Sequence, residues 1–232
     1  MELPILQNDL RSSGSWATAL AEEQKQWTPA QALGEGNLRD YQVEQTLKTF
    51  GEQVDRARLT AAANQISAWA KESGGTLDAE RLLELHRTLT GAPADADVLR
   101  RDEPTPINAA HDPTPAVLLP RMIDHAFDWF STESFGQLHA VEQAAVVYLR
   151  LLDLYPFPTL TRLTSLLAAS FYTERAGLPP LIVSADEITL ARFDQAMEAA
   201  MRMLTQPLVE LFAEILGATM RHNAAAGAPA TG

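Results

Sequence analysis

Apolar side chains recur along most of this chain at the three- and four-residue spacing of an α-helix. Such stripes run through residues 82–89 and 122–130, and a longer one covers residues 193–215. Pro207 lies inside the last stretch, which is therefore predicted to be kinked or split, because a proline inside a helix removes a hydrogen bond and clashes with the preceding turn. Residues 138–154 are apolar nearly all round in their second half, as is typical of a helix in the middle of a bundle. No clear alternating strand pattern is present, so the predicted fold class is all-α.

Helix start and stop signals agree with this pattern. Thr28-Pro29 is typical of a helix N-terminus, with a capping residue followed by proline in the first turn. Ser184 and Glu187 have the spacing of a capping box. Gly177, which two prolines follow closely, predicts the end of a helix that begins near residue 162.

One stretch fits no helix. Residues 98–120, called the flap below, contain five prolines and are predicted to form a short hairpin or an irregular segment. The whole chain is divided into an N-terminal helical extension (residues 1–60) and a main helical bundle (residues 61–220). Residues 221–232 are mostly small and include Gly and Pro, and they are predicted to be a disordered tail.

Charge and composition narrow the function classes. The chain has 232 residues, 30 acidic and 18 basic, so its formal net charge is −12. This argues against a duplex-DNA binder and against a basic helix on a membrane surface, since both need many Lys and Arg side chains. The absence of cysteine excludes disulfides and Cys-based zinc sites. Without a visible signal peptide or a long apolar run, we expect a cytoplasmic protein with neither nucleic acid nor membrane as a partner.

Taken alone, the residues offer little catalytic machinery. The five histidines are scattered, and none has the spacing of a metal-binding motif, so no metal site is predicted. Neither type of glycine-rich phosphate loop is present. His86 lies on the apolar stripe of residues 82–89 and is predicted to be a hydrogen-bonded core histidine.

The most unusual segment joins the most apolar helix to the next one. Its centre, residues 155–160, contains Pro156-Phe157-Pro158 and is called the PFP loop below. Thr161 is suited to cap the following helix, whose free N–H groups, with Arg162 nearby, can bind an anion. A tight turn between helices with a surface arginine is the alternative interpretation.

At this loop the sequence resembles the Fic domain family, whose motif is HPFxxGNGRxxR. The motif follows a buried helix, here LHAVEQAAVVYLRLLDL, and precedes a helix that ends in a phrase like RAGLPP. Upstream, LLELHRTLTG resembles the helix before the family's target-docking flap. The resemblance covers about residues 76–205 and implies a Fic-like helical bundle with a short flap and an N-terminal helical extension.

The resemblance fails where the family's chemistry lies. Tyr155 stands in place of the motif histidine, the family's general base, and a phenol with a pKa near 10 is a poor base at neutral pH. Thr159 is nearest to the acidic residue that holds magnesium. Leu160-Thr161 replaces the Gly-Asn-Gly that binds phosphates. Arg162 keeps the first motif arginine, whereas Ser165 replaces the second.

Glu35 also acquires a second interpretation through the resemblance. Many family members carry an inhibitory helix with the motif (S/T)xxxE(G/N), whose glutamate pairs with the second motif arginine. Glu35-Gly36 matches the last two residues of this motif, but Gln31 stands where the motif has Ser or Thr. Ser165 occupies the position of the arginine with which the glutamate would pair. A relic of the inhibitory segment and a plain turn both remain open.

The sequence therefore predicts a Fic-like protein that resembles protein adenylyltransferases but has a degenerate motif. Thr159, Thr161 and Arg162 remain as candidate nucleotide- or anion-binding residues, Glu35 is a candidate regulatory residue, and ATP with magnesium is not expected as a cofactor. The interpretation is a non-catalytic binding or regulatory protein with a protein partner, with homodimerisation left open. The alternatives are a transferase with altered chemistry and a purely structural helical module.

Overall fold

A computed structural model of the chain describes residues 14–25, 27, 36–50 and 54–227. Within these residues it contains ten α-helices and no strand. The helices are α1 (Gly14–Gln24), α2 (Gly36–Phe50), α3 (Arg56–Lys71), α4 (Ala79–Thr90), α5 (Leu119–Phe130), α6 (Glu133–Gly136), α7 (Ala140–Leu154), α8 (Thr161–Arg175), α9 (Glu187–Met201) and α10 (Gln206–Gly227). The prediction of an all-α fold is confirmed.

Local capping explains where several helices begin. Asp78 accepts a hydrogen bond from the backbone N–H of Arg81 and starts α4. His139 and Glu142 form a complete capping box at the start of α7. The capping box predicted at Ser184 is wrong, because Asp186 caps α9 by accepting from the backbone N–H of Thr189 at 2.9 Å.

Pro207 divides the C-terminal apolar stretch as predicted. Helix α9 ends at Met201, and α10 begins at Gln206, so the proline lies in the first turn, where its missing N–H leaves no intrahelical bond unmade. Helix α10 then continues to Gly227. Residues 221–227 are thus helical where the sequence predicted a disordered tail, because alanines favour helix continuation.

Helices α7 and α8 form the centre of the bundle. They pack against each other, while α3 and α4 contact α8, and α5, α9 and α10 contact α7. Almost every side chain of α7 from Val141 to Leu154 is buried or half-buried, which agrees with its apolar sequence. The N-terminal helix α1 packs on α10, and its Trp16 and Leu20 join the same core. The predicted boundary at residue 60 falls inside α3.

The flap is irregular rather than a hairpin. It runs without regular structure from residue 98 to 115, forms one turn of 3-10 helix at Ala116–Leu118, and enters α5. Its prolines explain the absence of strand pairing, since proline cannot donate a ladder hydrogen bond. The flap lies against the C-terminal end of α7 and the PFP loop that follows it, as the contacts below describe.

Candidate functional site

The PFP loop is bounded by two residues in the left-handed conformation. Tyr155 ends α7 with φ 46°, and Leu160 precedes α8 with φ 55°. Neither is glycine, so each carries a steric cost from its Cβ atom. Leu160 provides no side-chain cap for α8 and instead packs partly against the core.

The hydroxyl of Thr161, the first residue of α8, forms two hydrogen bonds with the backbone of Phe157 in the PFP loop. The hydroxyl accepts from the backbone N–H of Phe157 at 3.2 Å and donates to the carbonyl of Phe157 at 3.0 Å. Thr161 is buried, and the two bonds close the loop on the first turn of α8. The prediction that Thr161 caps α8 is therefore wrong in detail, because the hydroxyl bonds to Phe157 in the preceding loop.

His86 of α4 packs against the buried side of the PFP loop. Its ring stacks on Phe157 with the ring centres 3.8 Å apart and the planes 2° from parallel. Thr164 donates its hydroxyl proton to the carbonyl of Leu160 at 2.9 Å, so the bond of 3.0 Å between Thr164 Oγ1 and His86 Nδ1 has His86 as the donor. The prediction of a hydrogen-bonded core histidine is confirmed.

Arg100 joins the flap to the PFP loop. This residue is only 5% exposed, and its backbone N–H donates to the carbonyl of Pro156 at 2.9 Å. All five N–H donors of its guanidinium are used. The acceptors are the carbonyls of Tyr155 (2.6 Å), Leu154 (3.4 Å), Asp102 (3.0 Å) and Thr114, and the Glu103 carboxylate (3.3 Å).

His111 makes a second link between the flap and α7. Its Nδ1 accepts from the backbone N–H of Ile107 at 3.0 Å, so its Nε2–H donates to the carbonyl of Asp153 at 3.1 Å. Arg100 and His111 together satisfy carbonyls that the end of a helix leaves without partners. Sequence reasoning missed both residues, since neither stands in a motif or on a periodic stripe.

The remaining candidate residues lie apart from this network. Thr159 is exposed. Arg162 points toward α9, where its Nη1 lies 3.9 Å from the exposed carboxylate of Asp194. Ser165 is only 1% exposed, inside α8. The structure therefore bonds Thr161 to Phe157 of the PFP loop, but it does not gather Tyr155, Thr159 and Arg162 around a common centre.

Some of the predicted features lie in residues that the structure does not describe. Glu35 lies outside the residues that the structure describes, as does Thr28-Pro29, so their roles stay predictions. Within the described ranges, no three His, Asp or Glu side chains come close enough together to hold a metal ion. In the same part of the chain, no helix combines the length and apolarity needed to cross a bilayer.

His86 should make the stability of the chain depend on pH. Burial, with a smaller effect of the Arg87 charge, lowers the pKa of His86 from 6.5 to about 4. Because the unfolded chain binds this proton near pH 6.5 and the folded chain only near pH 4, the free energy of unfolding should fall by up to about 3 kcal/mol as the pH drops through that range.

Urea unfolding at several pH values measures this effect. His86→Gln should flatten the pH dependence between pH 4 and 6.5. His125→Gln, at an exposed position, is the matched control and should leave it unchanged. A His86→Gln profile that is parallel to that of the parent protein would contradict the prediction.

Curated proteins with similar sequences include insect proteins named Protein adenylyltransferase Fic. The chain is 26% identical to Protein adenylyltransferase Fic of Aedes aegypti over 138 residues, which are 59% of this chain and 27% of that protein. It is 33% identical to Protein adenylyltransferase Fic of Drosophila willistoni over 107 residues, which are 44% of this chain and 20% of that protein. The chain thus matches only about a quarter of the length of these relatives. No protein-family model matches the chain.

The similarity to solved structures covers more of this chain than the sequence similarity does. Fic-1 from C. elegans superposes with a TM-score of 0.71 at 20% identity, covering 94% of this chain and 71% of the other. A Fic domain containing signaling protein from Bacteroides thetaiotaomicron gives a TM-score of 0.61 at 15% identity, covering 96% and 94%. The chain therefore has a Fic-like fold, as the motif resemblance predicted.

Proposed function

We propose that this chain is a Fic-fold protein that does not transfer AMP and acts by binding a protein partner. The observation that carries the proposal is the closed PFP loop. Thr161 stands where the family has part of its phosphate-binding Gly-Asn-Gly, and its hydroxyl and the N–H of Phe157 bond to each other. Groups engaged in this way are not free to receive a phosphate.

The other substitutions act in the same direction. A phenol at Tyr155 is a poor general base at neutral pH, and the loss of a base typically costs about 10²–10⁴-fold in rate. The loop contains no acidic residue to hold magnesium beside a nucleotide. Leu160 stands where the family has the phosphate-binding glycines, and it adds a side chain that packs partly against the core.

The flap offers the surface for a partner. Val117 is 85% exposed, and Leu118 beside it is also exposed. A cavity of about 360 Å³ lies next to them, lined by the backbone and side chains of Leu99, Arg101 and Pro120, among others. Neighbouring exposed apolar side chains that border a cavity are typical of a protein interaction site. The bundle beneath holds this surface in place through Arg100.

Titration calorimetry with MgATP tests the loss of nucleotide chemistry. We expect a dissociation constant no tighter than about 1 mM, because the metal carboxylate and the backbone phosphate site are missing. Arg162→Ala should make no difference, and Arg192→Ala on α9 serves as its matched control.

A low-micromolar affinity that disappears only in Arg162→Ala would contradict the proposal. It would favour the second candidate, a transferase with altered chemistry. One observation supports that candidate: the N-terminus of α8 has no side-chain cap and carries Arg162 in its first turn, and such a helix end attracts anions.

Photo-crosslinking tests the partner. A benzoylphenylalanine in place of Val117 should give a discrete adduct with one protein in a lysate of the native cell. The same group in place of Ile188, which is 74% exposed on α9, is the control and should not give that adduct. Equal adducts from both positions, or none from Val117, would contradict binding at the flap.

A further inference from the structure

We propose that Arg100 couples the flap to the PFP loop, so that a partner that displaces the flap also releases the loop from its present conformation. The existence of a partner that moves the flap rests on the proposed function. The coupling itself is a property of this chain and is measured without any partner.

The donors of Arg100 are divided between the flap and the end of α7. Two of its guanidinium N–H groups bind carbonyls at the end of α7, those of Leu154 and Tyr155. The others bind flap groups, including the carbonyls of Asp102 and Thr114, which lie on the two sides of the flap. One rigid, planar group therefore contacts both flap sides and the loop, and moving either part breaks bonds to the other.

Arg100 is also buried. The Arg100 side chain is almost fully buried, and its one carboxylate neighbour, Glu103, is largely exposed and lies 3.3 Å away. A buried guanidinium is stable only while its donors are satisfied. Removal of the flap carbonyls would leave a buried charge with unsatisfied donors, so the side chain would turn toward water and leave the loop carbonyls as well.

The backbone of the PFP loop begins with a left-handed residue that Arg100 surrounds. The left-handed conformation of Tyr155 is unfavourable for a residue with a Cβ atom, and it persists only where the surroundings hold it. Arg100 donates hydrogen bonds to three successive carbonyls around this position, those of Leu154, Tyr155 and Pro156. Without these bonds, Tyr155 is expected to return to a right-handed or extended conformation.

Native-state hydrogen exchange on the full chain tests the coupling. The reporters are the amide of Phe157, which Thr161 protects in the loop, and the amide of Ala116, which Glu103 protects in the flap at 3.0 Å. Arg100→Met should accelerate both by about tenfold or more, while amides of α3 keep their rates. Arg101→Met is the matched control, since that neighbouring side chain is 83% exposed, and it should change neither.

Two outcomes would overturn the proposal. If Ala116 exchanges faster and Phe157 does not, the flap and the loop are independent. If all amides accelerate equally, including those of α3, Arg100 supports only global stability. Arg100→Lys keeps the charge but has three donors, so it carries the same comparison where Arg100→Met does not fold.

A double-mutant cycle gives an independent measurement. Tyr155→Gly should raise the urea midpoint of the parent protein, because glycine adopts φ 46° without a Cβ clash. In the Arg100→Met or Arg100→Lys background the loop is no longer held in that conformation, and the gain should disappear. Equal gains in parent and variant would show that Arg100 does not hold the loop, and the proposal would be wrong.

Discussion

Replacement of Phe157 by alanine should lower the free energy of unfolding by about 3–5 kcal/mol. Phe157 is fully buried at the centre of the PFP loop and stacks on His86. Removal of its ring leaves a cavity between α4, α8 and the loop that the closed backbone cannot fill. Urea unfolding followed by circular dichroism measures the loss.

Thr159→Ala is the matched control in the same loop. Thr159 is exposed, so its replacement should change stability by no more than about 0.5 kcal/mol. Phe157→Ala should also move the pKa of His86 back toward its ordinary value, because water then reaches the imidazole, and a histidine titration by NMR follows this. A loss below about 1 kcal/mol would show that the ring does not support the loop.

We expect no AMP transfer when Tyr155 alone is replaced by histidine. The imidazole supplies a usable base near neutral pH, but Leu160-Thr161 still stands in place of Gly-Asn-Gly. Stabilisation of developing charge is usually the larger part of catalysis. We expect no labelled protein from radiolabelled ATP and lysate, either with the parent or with Tyr155→His.

A grafted loop tests whether the scaffold can still support the reaction. In the graft, residues 155–162 are replaced by HPFxDGNGR, which restores the base, the metal carboxylate and the glycines and adds one residue. Ser165→Arg completes the motif, but Ser165 is only 1% exposed, so the graft is prepared both with and without this change. Any labelling is expected from a graft alone.

Two results would contradict this expectation. Labelling by the parent would show that the chain is an active transferase. Labelling by Tyr155→His would show that the present loop still binds the nucleotide phosphates, despite the bonds between Thr161 and Phe157. Melting curves of every variant serve as the folding control, since an unfolded graft also gives no label.

The sequence by itself determined the helical architecture. Helix periodicity, a proline at residue 207 and the mostly apolar second half of α7 are local properties, and the structure agrees with what each of them predicted. The location of His86 in the core also followed from its place on an apolar stripe. Ser184 and Asp186 are both suitable residue types for the N-cap of α9. The sequence pattern favoured Ser184, whereas the structure has Asp186 in that position.

Only the tertiary structure decided what the site residues contact. Arg100 meets the carbonyl of Tyr155 across 55 positions of sequence, and His111 meets that of Asp153 across 42. Backbone carbonyls are the same at every residue, so no residue pattern marks the ones that a distant side chain will bind. The carbonyls on either side of Tyr155, and its own, are likewise bound by Arg100 only because the fold brings the flap to the end of α7.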